Sequence, residues 1–148
     1  MSPWREQGSG HIIQISSTGG QVALPLGGGY HASRFALEVL SDSLAQEVAG
    51  FGIKVTVVES SFYATDSTAG AVNSAADPLH DGVRESFVKF AQGLNVGDPA
   101  GALLEVADSD DPPLRVFVGT EGLRMTQQAH AERLKTWADW EELSAAAH

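Results

Sequence analysis

A chain of 148 residues with 43% hydrophobic and 19% charged residues has the length and composition of a single soluble globular domain. Its 9 basic and 19 acidic residues give a formal charge of −10, which argues against nucleic acid and anionic membranes as partners. The absence of cysteine excludes disulfides, thiol nucleophiles and thiolate metal sites.

Five histidines, at positions 11, 31, 80, 130 and 148, have no ligand-like spacing, so no metal site is expected. No apolar run reaches the ~18 residues that a membrane span needs. The opening MSPWREQGSG has no apolar signal core, and a cytoplasmic location is expected.

The first periodic segment is HIIQIS at 11–16, Ile-rich and too short for a stable helix, which reads as a buried strand. The Gly/Ser/Pro-rich stretch at 17–29 reads as loop. From Tyr30 to Gly50 the pattern is helical, with Leu37, Leu40, Leu44 and Val48 as one apolar stripe and Gly50 and Gly52 as the stop. KVTVV at 54–58 reads as a second buried strand, completing a strand–helix–strand unit that implies parallel pairing and a right-handed crossover.

Residues 60–97 are mixed and suit a mobile loop or short helices. Asp98-Pro99 then reads as an N-cap followed by proline in the first turn of a helix reaching about Ala107. LRVFV at 114–118 reads as a third strand. The tail from Arg124 to Leu143 reads as a helix docking through Leu134, Trp137, Trp140 and Leu143. With no repeat and no linker, residues 1–148 are expected to form one α/β domain, a truncated Rossmann-like fold of about three parallel strands with flanking helices.

The chemistry concentrates in SSTGGQVALPLGGGYHASR at 16–34. Tyr30 and Arg34 lie one helical turn apart, so their side chains leave one face, where a guanidinium favours a phenolate. Ser17 ends a strand where the loop can return it beside Tyr30. A hydroxyl and an acidified phenol together can bind a carbonyl oxygen and exchange a proton with it. Each element alone is ordinary, since a Tyr-x-x-x-Arg pair is commonly a surface pair and a strand-end serine is commonly a turn residue. Their order is far more specific.

The run GHIIQISSTGG…P…YHASRFALEVLSDSLAQEVAGFGIKVTVVE resembles the catalytic segment of classical short-chain dehydrogenases/reductases, and the likeness continues through DPPLRVFVG into the terminal helix. The resemblance implies the C-terminal half of that fold. It makes Ser17 the residue that orients the substrate carbonyl, Tyr30 the general acid/base and Arg34 the counterpart of a lysine that holds the nicotinamide ribose. Thr65 matches a cofactor-contacting threonine. The implied cofactor is NAD(P), and the implied substrate a small carbonyl or alcohol compound.

Three departures bear on activity. The glycine-rich dinucleotide fingerprint and the active-site asparagine of the family's first half are missing, and Gly27-Gly28-Gly29 reads as loop rather than phosphate cradle. Arg34 keeps the lysine's charge but has a wider planar fork that does not relay protons. Ser60-Ser61 stand where the family has Pro-Gly.

Alone, the chain is therefore expected to be an impaired oxidoreductase, or one without any cofactor. The alternatives are a non-redox acid/base enzyme (isomerase, cyclase or dehydratase) on the same residues, and a catalytically silent binding or scaffold protein. Residues 62–95 would form the pocket lid. The outer edge of strand 11–16 would be bare, so a homodimer or higher homo-oligomer, or a partner supplying the missing half, is expected to cover it.

Overall fold

The computed structural model describes residues 2–63, 70–94 and 98–147. A short helix α1 (Ser2–Gln7) leads into strand β1 (Gly10–Ile15). A single turn over Thr18–Gly20 and a loop follow, and then the long helix α2 (Gly28–Val48). Strand β2 (Ile53–Ser60), helices α3 (Asp81–Gln92) and α4 (Ala100–Asp108), strand β3 (Arg115–Val118), and helices α5 (Thr120–Asp139) and α6 (Glu141–Ala145) complete the chain.

The three strands form one parallel sheet in the order β1-β2-β3. Gly10 faces Ile53 and Ile15 faces Val58 across the first pair; Val57 faces Arg115 across the second. Central strand β2 is buried continuously from Val55 to Glu59. Burial on both faces is what a central parallel strand requires, and it accounts for the valine-rich run that marks β2 in the sequence. Val48 at the end of α2 packs with Ile53 and Val55, and Ile12, Leu44 and Ala45 close around them. A polar relay also crosses the sheet: His11 Nε2 bonds Thr56 Oγ1 at 2.9 Å, and Thr56 Oγ1 donates to Pro113 O at 2.7 Å.

The expected α/β architecture and strand positions are borne out, with the ends shifted by one or two residues. Pro99 rather than Asp98 takes the N-cap position of α4, and Asp98 Oδ1 accepts from Ala100 N at 2.9 Å one residue before it. Two expectations about helix faces are not met. Leu40 is exposed, and the buried seam of α2 runs instead through His31, Glu38, Ser41 and Val48. The terminal helix breaks at Trp140, and Leu134, Trp137, Trp140 and Leu143 are each more than 60% exposed instead of docked. In both places the apolar period is genuine, but the surface available to the helix decides which side it buries.

Candidate active site

Ser17 follows the C-terminal end of β1, and Arg34 reaches that strand end from α2 while lying over the Tyr30 ring. The strand's last hydrogen bond runs from Ser16 N to Val58 O at 2.8 Å, after which the backbone turns. Ser17 caps that turn, its Oγ accepting from Gly19 N at 3.1 Å. Gly19 is the point of closest approach to α2: a Cβ there would lie 2.8 Å from Tyr30 Cε1 and 2.8 Å from His31 Nδ1. The Tyr30 ring therefore rests on the backbone two residues beyond Ser17.

Arg34 closes the arrangement from the next helical turn. Its Cζ sits 5.2 Å from the centroid of the Tyr30 ring, and its Nη1 donates to Ile15 O at 3.2 Å. The guanidinium is thus held between the phenol and the strand end, while its buried Nε has no partner among the described residues. Tyr30 itself is 49% exposed. Thr65 lies outside the described residues.

His31 is a site-shaping residue that no motif announces. It is buried, and both ring nitrogens hold the loop between Ser17 and α2. Nε2 accepts from Leu24 N at 3.0 Å, which leaves Nδ1 to donate to Gly19 O at 3.0 Å. Its ring also meets Tyr30 edge-on, with centroids 5.7 Å apart. The signal in the sequence is adjacency to Tyr30, and adjacent helical residues do not share a face, so spacing rules pass over it.

Ser60 and Ser61 are structural in this chain. Ser60 Oγ donates to Ser16 O at 3.0 Å, and Ser60 O accepts from Thr18 Oγ1 at 3.2 Å. Ser61 Oγ accepts from Gly122 N at 3.3 Å and so anchors the start of α5. The second tyrosine, Tyr63, lies two residues further on. Burial, and then the charge of Asp98, hold its phenol above the usual tyrosine range, so it is poorly suited to proton exchange near neutrality. Phe62 and Phe90 stack edge to face at 6.0 Å, tying α3 to the end of β2.

The sequence model of the family described as short chain dehydrogenase matches residues 1–76, which is 76 of the 148 residues. The chain belongs to the short-chain dehydrogenase family. A short-chain dehydrogenase from Streptomyces avermitilis superposes with a TM-score of 0.88 at 32% identity, over 99% of this chain and 56% of that one. The oxidoreductase BOA17 of Botryotinia fuckeliana is 34% identical over 96% of this chain and 54% of its own length. Human retinol dehydrogenase 5 is 47% identical over a shorter stretch, 45% of this chain and 20% of its own. The chain therefore spans about half the length of the first of these relatives, and as a partial short-chain dehydrogenase its Rossmann-like sheet is correspondingly small. Among the described residues, no helix is long and apolar enough to cross a membrane.

Proposed function

We propose that this chain carries the proton-transfer half of a short-chain dehydrogenase-type site, acting on a small carbonyl or alcohol compound with NAD(P). Tyr30 is assigned as general acid/base and Ser17 as the hydroxyl that orients the carbonyl oxygen. The observation that carries this reading is the position of Arg34, over the Tyr30 ring and bonded to the strand end that presents Ser17. This sets a fixed positive charge beside the phenol proposed as acid/base. In reduction, Ser17 donates a hydrogen bond to the substrate oxygen and Tyr30 delivers the proton to it. In oxidation, the same proton returns to Tyr30.

The residues present fit the ribose and nicotinamide end of the cofactor. Tyr30 is half exposed, and the Arg34 guanidinium lies beside it at the strand end, where the resemblance places the group that holds the ribose. When bound, the nicotinamide supplies or accepts the hydride, which no side chain can do. The sequence has no spaced-glycine dinucleotide fingerprint to hold the pyrophosphate, and Gly27-Gly28-Gly29 before α2 is read as loop. We therefore assign that contact to no residue of this chain and infer weak turnover by these 148 residues alone.

Fluorescence titration with NADH and NADPH is expected to show weak binding that tightens in Arg34→Lys. Reduction of a small aldehyde is expected to fall by about 100-fold or more in Tyr30→Phe. No binding of either nucleotide by the parent or by Arg34→Lys would overturn the cofactor assignment. Turnover unchanged in Tyr30→Phe would overturn the acid/base assignment.

A further inference from the structure

A cavity of about 590 Å³ opens between α2, the β2–β3 pair and α5. Its size is that of a small-molecule site. One wall is polar and heavily acidic. Arg115 Nε lies 3.3 Å from Glu38 Oε2 and 3.5 Å from Glu59 Oε1, and its Nη2 lies 2.7 Å from Asp42 Oδ1. Gln21 Nε2 donates to Glu59 Oε1 at 2.6 Å. Three carboxyl groups thus share one guanidinium, and two of them, Glu38 and Glu59, are 3% and 2% exposed. Buried carboxylates are costly unless neutralised and hydrogen-bonded, so this wall is short of positive charge.

The opposite wall supplies independent evidence. Thr126 of α5 lines the cavity, is 5% exposed, and has no partner for its Oγ1 among the described residues. Glu38 and Glu59 hydrogen-bond each other beside it. Buried polar atoms are normally satisfied, and atoms left over around a cavity point to a missing occupant. Phe35, Phe117 and Leu123 provide an apolar wall.

We propose that this cavity binds a small primary amine as its ammonium, with the charge between Glu38, Glu59 and Thr126 and an apolar body against Phe35, Phe117 and Leu123. Three N–H donors match two carboxyl groups and one hydroxyl. An anion is disfavoured by the carboxyl excess. A metal ion is disfavoured by the intruding Arg115, and no cluster of three or more His, Cys, Asp or Glu suited to a metal occurs among the described residues. The site shares no residue with Ser17, Tyr30 and Arg34, so it stands apart from the oxidoreductase reading.

The charged and titratable groups facing the ammonium are Glu38 and Asp42 from α2, Glu59 from β2, Arg115 from β3 and His130 from α5. Burial first, and then the Glu38 charge, push the Glu59 carboxyl up to about 7. An ammonium must ionise it, so affinity should strengthen as pH rises through that value, for an amine that stays protonated.

The test is titration of the full chain with benzylammonium, followed by amide chemical-shift mapping, with benzyl alcohol as the neutral control. We expect shifts centred on Glu38, Leu123 and Thr126. Affinity should exceed that for benzyl alcohol by about tenfold or more. It should rise from about pH 6 to about pH 8 and drop by about tenfold in Thr126→Val or Glu38→Gln. Equal affinity for the alcohol, shifts mapping elsewhere, a flat pH profile in the parent chain, or no binding at millimolar amine would each overturn the proposal. The pH profile needs no variant, so it decides the matter even if Glu38→Gln does not fold.

Discussion

His31 commits both ring nitrogens to backbone groups, Gly19 O and Leu24 N, in a buried setting. Replacing it with Ala removes two hydrogen bonds and leaves a buried acceptor and donor behind. We expect His31→Ala to lose about 2–3 kcal/mol, read as a lower urea midpoint. Glu59 gives a second expectation, with a defined sign. Its carboxyl is raised from 4.5 to about 7 in the folded chain, so the folded state holds that proton more tightly than the unfolded one. The stabilisation is complete below about pH 4.5 and is lost as pH rises through about 7. Thermal stability across this range should fall with pH in the parent chain and flatten in Glu59→Gln, which should be the more stable of the two above neutrality.

The close seam between α5 and the turn at Thr18–Gly20 depends on Gly122. A Cβ at that position would overlap Thr18 Oγ1, which is engaged with Ser60 O, and Thr18 itself is buried with no room to retreat. Gly122→Ala is expected to cost about 1–3 kcal/mol by overpacking, measured by denaturant unfolding. This seam is invisible in the sequence because a glycine in the first turns of a helix carries no periodic signal. The buried face of α2 escapes a local reading for a related reason. Leu40 and Glu38 sit almost a half-turn apart, and hydrophobicity favours Leu40 for burial, yet Arg115 on β3 draws Glu38 inward. A partner 77 residues away in sequence does not count in a local pattern. By contrast, the Asp98–Ala100 hydrogen bond and the Tyr30–Arg34 pairing rest on contacts within about one turn, and each strand announces itself by a short apolar run, so these can be read directly.

At the scale of the whole molecule, β1 has a partner strand on one side only among the described residues, and Ile15 at its end is 49% exposed. Bare parallel edges with apolar side chains recruit further strands. The tail adds a second exposed apolar stripe, through Leu134, Trp137, Trp140 and Leu143. We expect the chain to self-associate, and light scattering on a folded sample should show a mass of at least two chains. A single-chain mass would mean that neither surface drives assembly.

The sequence by itself determined the fold class and the parallel sense of the strands, and it set Tyr30 and Arg34 one helical turn apart. These follow from short-range periodicity and from the order in which strand, turn and helix succeed one another. Only the tertiary structure decided that His31 clamps the loop, that Glu38 and Glu59 share Arg115, and that the tryptophan stripe lies open. Those outcomes depend on which surfaces meet once the sheet has formed, and packing between distant segments leaves no local trace in the chain.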